Sequence, residues 1–178
     1  MKFSIAVLLF GSLLPVFAGD SPCQAPGQTL QDRAQPYLAA ARAAGSDFVS
    51  VSSASGMPNL APGSLATAFG TNLAPRTEIG TAPYQTSLGG ISFQVVDSAG
   101  SVRLAPLLYV SPTQINYLVP AATPAGTATM NIVNGTGTVP SSTAQVQSVA
   151  PALFTANANG QGVVAATAYR TVIPSNIG

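Results

Sequence analysis

The stretch that decides the fold is Leu60–Pro75, LAPGSLATAFGTNLAP. Pro62-Gly63 is a turn signal: Pro presets the backbone at the second turn position, and Gly accepts positive φ at the third. Ser64–Phe69 follows as a strand, and Gly70 with Asn72 supports a second tight turn. Pro106–Pro120, PLLYVSPTQINYLVP, answers it with two apolar strands about a Ser-Pro turn. Short strands punctuated by Pro and Gly in this way belong to an all-β sandwich or barrel.

The pattern continues outward from these two units. From Asp47 on, β-branched residues are frequent and apolar positions recur with period two. Strands are expected at Phe48–Ser52, Ser64–Phe69, Ile91–Val96, Val102–Leu104, Leu107–Val110, Ile115–Val119, Thr127–Val133 and Ala144–Val149. Asp97-Ser98-Ala99-Gly100 and Asn134-Gly135 mark turns, the second suited to a type I′ hairpin because both residues tolerate positive φ. Phe69, Phe93, Tyr109 and Tyr117 are the aromatic core candidates. Val149–Thr155, VAPALFT, reads as the exit from the sandwich, and Val163–Tyr169 as one more strand beyond it. Only Arg170 guards the edge of that strand against pairing.

Upstream of the strands, Gln35–Ala44 reads as a helix. Pro36 suits the first helical position, Tyr37, Leu38, Ala41 and Ala44 share a face, and Gly45 can close the end. Thr29 with Asp32 offers an earlier cap, which would place Pro36 inside a longer helix. The apolar stripe is mostly alanine, so weak attachment is expected. Gly19–Gln28 is a Pro-, Gly- and polar-rich leader. Before it, Lys2, the apolar run Ile5–Leu14 and Val16-Phe17-Ala18 have the form of a signal peptide cut after Ala18. The run is shorter than the about 20 residues a membrane-crossing helix needs, and Pro15 interrupts it. The expected organisation is a signal peptide at 1–18, a leader with a short helix at 19–46, a β-sandwich at 47–156 and a C-terminal segment at 157–178.

These residues carry a resemblance. Pro62–Leu73, PGSLATAFGTNL, is similar to the opening of IPT/TIG immunoglobulin-like domains, where a Pro-Gly turn leads into a strand that ends in Gly-x-Asn. From Phe48 to Thr155 the chain resembles more closely the Solibacter-type C-terminal domain of exported bacterial proteins. The matching stretches are Leu60–Pro75, Leu88-Gly89-Gly90-Ile91, Ala105–Pro120, Gly126–Val133 and Val149–Thr155. The resemblance implies an immunoglobulin-like (IPT/TIG-like) β-sandwich preceded by a short N-terminal helix. It carries no known activity and no catalytic residues. Domains of that family usually end a much longer chain and continue past Gly160–Ala166 into a second half. The segment 157–178 is therefore expected to be the start of a half that is missing here.

Composition excludes much chemistry. The one lysine, Lys2, leaves with the signal, and there is no histidine. Ser-His-Asp, Cys-His and Ser-Lys nucleophiles, Schiff-base lysines and histidine metal sites are therefore excluded from the exported chain. GSLATAFG lacks the spacing and the lysine of a phosphate-binding loop. Five arginines (Arg33, Arg42, Arg76, Arg103, Arg170) cancel five acids (Asp20, Asp32, Asp47, Glu78, Asp97), and only 6% of residues are charged. With no basic patch, neither a nucleic acid nor an anionic membrane is an expected partner. Cys23 is the lone cysteine and permits no internal disulfide. It reads as an exposed thiol on the leader, since lipid attachment wants a small residue where Pro22 stands.

Few residues remain for a site. Asp47, Glu78 and Asp97 are the acids within the sandwich, Asp97 reading as a turn residue and Glu78 as a loop charge. Gln114 and Asn116 form either a ligand-facing amide pair or, as favoured, side chains that satisfy backbone groups after Pro112. Tyr84, Tyr109, Tyr117 and Tyr169 would be the sugar-stacking candidates, although no Trp accompanies them. Asn134-Gly135-Thr136 has the form of a glycosylation acceptor, and a hairpin turn explains it as well. No catalytic, metal or cofactor residue is assigned. The expected function is a non-catalytic exported module for adhesion, spacing or contact with a protein or cell-surface component. The alternative is a carbohydrate- or small-ligand-binding module. The expected location is extracellular, periplasmic or at the cell surface. Mass spectrometry of the exported protein should find its N-terminus at Gly19 or within a few residues of it. An intact Met1 outside the cytoplasm would refute export by this signal.

Overall fold

A computed structural model describes residues 29–135, 137–157 and 162–167, apart from the side chains of 137–139. The expected signal peptide, the leader with Cys23, and Tyr169 lie outside the described residues. The fold is mostly β, with two sheets and one N-terminal helix.

Helix α1 runs Leu30–Ala43, starting five residues before Gln35. The earlier cap prevails. Thr29 Oγ1 accepts from the Asp32 N–H at 3.2 Å, and the Thr29 N–H donates back to Asp32 Oδ2 at 2.9 Å. This reciprocal box satisfies two orphan donors at the helix start. Those hydrogen bonds, from the Thr29 side chain first and its backbone second, hold the Asp32 carboxyl below its ordinary pKa. Pro36 therefore sits inside the helix and removes one backbone hydrogen bond, rather than opening it. Gly45 closes the helix at φ 81.

The strands are β1 (Phe48–Ser52), β2 (Asn59–Leu60), β3 (Leu65–Gly70), β4 (Glu78–Ile79), β5 (Ser87–Leu88), β6 (Ile91–Val96), β7 (Val102–Leu104), β8 (Leu107–Val110), β9 (Gln114–Leu118), β10 (Gly126–Asn134) and β11 (Gly137–Val146). All eight expected strands are present, most within a residue or two of the expected bounds. The two-residue strands β2, β4 and β5 were not foreseen, because two residues carry no periodicity. One sheet has the order β1-β3-β9-β8-β4, and the other β2-β11-β10-β6-β5 with β7 on β6. Every pairing is antiparallel except β11 with β2. The Pro62-Gly63 turn forms as read, with Gly63 at φ 74 and the Ser64 N–H bonded to Ala61 O at 3.0 Å.

The β10–β11 hairpin corrects two expectations. Asn134 is the last residue of β10, paired with Gly137, and neither it nor Gly135 has positive φ. The two do not form the centre of a type I′ turn. Strand β11 also starts seven residues before Ala144. Pro140 hides that start, because proline argues against a central strand. The register skips at this residue: Asn131 faces Ser141 and Ile132 faces Val139, which leaves Pro140 as the bulged residue that has no ladder bond to donate.

The molecule has two cores, on opposite faces of the five-stranded sheet. Between the sheets lie Phe48, Leu60, Ile91, Phe93, Leu107, Ile115, Tyr117, Met130 and Ile132. Phe93 of one sheet stacks on Tyr117 of the other at 4.1 Å between ring centres, and meets Phe48 edge-on at 5.9 Å. On the outer face, α1 lays Ala34 and Leu38 over Val49, Val51 and Phe69. The helix thus covers the outer face of β1, every residue of which is buried, one face under each core. Phe69 belongs to this second core rather than to the sandwich interior. Tyr109 is half-buried and belongs to neither.

After β11 an isolated antiparallel bridge joins Thr155 and Val164. The Ala165 N–H donates to Phe154 O at 2.8 Å, and the Ala156 N–H to Val163 O at 2.9 Å. The strand expected at Val163–Tyr169 is reduced in its described part to this single bridge. Truncating Phe93 to Ala should lower the unfolding free energy by about 3–5 kcal/mol. Phe154→Ala, on a ring 49% exposed, should change it by less than about 0.5 kcal/mol. Urea unfolding of both variants reads the difference, and equal effects would overturn the core assignment.

Candidate functional site

Asp47, Glu78 and Asp97 stand at three separate places in the fold. Asp97 is buried in the β6–β7 turn. Its Oδ1 accepts from the N–H groups of Ala99 and Ser101 at 2.9 Å each, and its Oδ2 from Arg103 Nε at 3.0 Å. Burial alone would raise its pKa. The bonds from Ser101, Arg103 and Ala99, with the Arg103 charge, outweigh it and leave the carboxyl below the ordinary value. Asp97 is thus the turn residue expected. Glu78, on β4, pairs with Arg76 at 2.9 Å in an exposed contact of little energetic weight. Asp47 is exposed, just before β1. Among the described residues, no three His, Cys, Asp or Glu side chains cluster to hold a metal.

The amide pair behaves differently from the favoured expectation. Gln114 Nε2 donates to Asn116 Oδ1 at 2.9 Å, so the amides bond to each other. The backbone after Pro112 is satisfied by Ser111, whose Oγ accepts from the N–H groups of Thr113 and Gln114 and donates to Gln114 O. Asn116 faces Thr67 across the β3–β9 ladder. Thr67 is fully buried and shares a 2.7 Å hydrogen bond with Ser53. Thr67, Asn116 and Ser53, walled by Leu30, Leu65 and Phe154, line a cleft of about 250 Å³.

Among the described residues, the candidate tyrosines do not assemble a platform. Tyr117 is core, and burial pushes its phenol well above the ordinary pKa. Ser50 tempers this from nearby without reaching hydrogen-bond contact, so both hydroxyls are buried and unpaired. Tyr84 is exposed, Tyr109 half-buried. Asn72 stands at φ 56, the one positive-φ residue other than glycine among those described, as its turn role requires. Asn134 has its own contacts, and Thr136 lies outside the described residues.

A larger cleft has a volume of about 580 Å³. Asn72–Pro75, Gly90, Ile91, Pro112, Asn134 and Gly135 line it. Its size is that of a small-molecule pocket. Its described lining holds amides and apolar groups and no charge.

One cation stands out. Arg33 of α1 is only 8% exposed, its Nε is buried without a hydrogen-bond partner, and no acid pairs with it among the described residues. Burial pulls its pKa down, against an opposing pull from Tyr37. Its guanidinium lies over Gly56, where an added Cβ would come within 3.3 Å of Arg33 Cζ and Nε. Gly56 has φ 70, so glycine is required there twice over. One helical turn on, the Tyr37 hydroxyl donates to Met57 Sδ at 3.0 Å. Sequence reading missed Arg33 because it started the helix at Gln35. From Leu30, Arg33 falls three residues on, beside the buried stripe of Ala34 and Leu38.

Asp97 yields a pH dependence. Its folded pKa lies below the unfolded value of about 3.9, so its contribution to stability is complete above that pH. It is lost as pH falls through the lower, folded value. Asp97→Asn should therefore lower the thermal midpoint at pH 7, and the gap to the unsubstituted protein should close as pH falls below about 4. A gap constant down to pH 2.5 would refute the role. The chain matches no protein-family model and no curated protein.

Proposed function

We propose that this chain is an exported, non-catalytic contact module built on an immunoglobulin-like sandwich, of the kind the Solibacter-type C-terminal domain represents. One observation carries the reading: the chemistry-bearing side chains serve local structure, while exposed apolar groups gather after β11. Asp32 caps α1, Asp97 ties a turn and Glu78 meets Arg76. Val149, Leu153 and Val163 are 68–78% exposed, with Phe154 and Val164 partly so. Exposed apolar residues grouped in this way favour contact with another surface. A surface with little net charge offers little repulsion against it.

The alternative, a carbohydrate- or small-ligand-binding module, draws on the 580 Å³ cleft. Screening against ester, peptide and glycoside substrates should show no turnover above background, and a glycan array should show no saturable binding. Reproducible turnover lost on Asp47→Ala or Glu78→Ala would replace the proposal with an enzyme. Glycan binding lost on Asn72→Ala or Tyr84→Ala would replace it with the alternative.

A further inference from the structure

Arg33 is a largely buried cation without a counter-charge among the described residues. Taking a guanidinium out of water is strongly unfavourable unless a charge or good acceptors replace the lost hydration. Arg33 has neither among the described residues, and its Nε is fully enclosed. Three of the other described acids are committed elsewhere: Asp32 to Thr29, Glu78 to Arg76, Asp97 to Arg103. Asp47 precedes β1, whereas the Gly56 loop follows its far end, about 17 Å along five strand residues.

Tyr37 repeats the deficit. It lies four residues on, on the same helix face, and its hydroxyl reaches the same corner of the chain, at Met57 beside Gly56. A thioether is a weak acceptor. Two donors, one charged and one neutral, thus converge on a corner that supplies no oxygen to either.

We propose that Arg33 and Tyr37 form a carboxylate-binding site, with the guanidinium as counter-ion and the Tyr37 hydroxyl as a second donor. A carboxylate fits better than a phosphate dianion. The site offers one positive charge, and a planar two-oxygen anion matches the fork of a guanidinium. The carboxylate has two sources, the chain's own leader, where Asp20 is the one acid, or an acidic group from outside. The inference does not depend on the proposed contact role, since a ligand-binding module would use the same site.

The test observes the Arg33 Nε–H signal by NMR in the purified protein, with acetate as the probe and chloride at matched ionic strength as the control. If the site takes an external carboxylate, acetate shifts this signal saturably. At tenfold excess over its dissociation constant it raises the thermal midpoint by about 3–6 °C over chloride. Arg33→Met, which fills the stem volume without charge, abolishes the acetate effect. Tyr37→Phe, which keeps the ring, weakens acetate about tenfold or more and serves if Arg33→Met fails to fold. If the leader fills the site, acetate is silent on the unsubstituted protein. Asp20→Asn then shifts the Arg33 signal and creates an acetate response. The proposal is overturned if neither acetate nor Asp20→Asn moves the signal, or if Arg33→Met responds to acetate as the parent does.

Discussion

The stack of Phe93 on Tyr117 is the contact on which the architecture depends. Phe93 belongs to the β6 side of the sandwich and Tyr117 to the β9 side, and Phe48 of β1 meets the same Phe93 ring from its edge. One ring therefore ties together two strands of the opposite sheet. Offset and edge-on aromatic pairs add about 0.5–1.5 kcal/mol beyond the area they bury. Their larger effect is geometric. Two large rings can occupy one level of the interior because Ala66, the cross-strand partner of Tyr117, and Ala68 on the same strand are small. Large beside small on the inner face of one sheet leaves room for the ring that faces it from the other.

Those alanines also explain the second core. β3 reads Leu-Ala-Thr-Ala-Phe-Gly, and its period of two sends Ala66 and Ala68 inward and Thr67 and Phe69 outward. An outward Phe on a strand needs a cover, and α1 supplies it. The helix in turn needs small residues to approach the sheet, which is what Ala34 and Ala41 provide. An alanine-rich stripe, read alone, signals weak packing. Against a sheet face that presents Val49, Val51 and Phe69 it signals close packing. The strength of the attachment resides in the partner surface, which periodicity within one element does not reveal.

The same distinction separates what was legible in the sequence from what was not. The strands Phe48–Ser52, Ile91–Val96, Val102–Leu104 and Leu107–Val110 were readable to the residue, because alternation and flanking turns agree there. The helix start was not, because two local signals conflicted. Pro36 pointed to one start and the Thr29–Asp32 box to another, and the box prevails by satisfying two donors where an internal proline forfeits one hydrogen bond. That choice of phase decided whether Arg33 lay in the leader or in the helix, so the candidate site was hidden by a helix boundary. Asp97 was legible as a turn residue because its partners lie within six residues of it. Gln114 and Asn116 were half legible. They were noticed as polar groups on an apolar strand, but their bond to each other depends on Ser111 having already satisfied the backbone.

Scarce charge gives these placements their meaning. With 6% charged residues, against roughly 25% in ordinary soluble domains, each ion weighs heavily in the local balance. Asp32, Glu78 and Asp97 each find a partner within six residues along the chain, which costs little conformational entropy. Arg33 is the exception among the buried charges, a long side chain with no such partner among the described residues. The other buried charge, Asp97, is settled locally by Arg103, and the proposed carboxylate would do the same for Arg33. The turn at Gly56 strengthens the point. Positive φ at Gly56, and the 3.3 Å at which a Cβ added there would meet the guanidinium, tie the backbone shape to the side-chain position. A corner shaped around an arginine head, with a tyrosine hydroxyl brought to it from the next helical turn, has the preorganisation expected of a binding position rather than of a filled core.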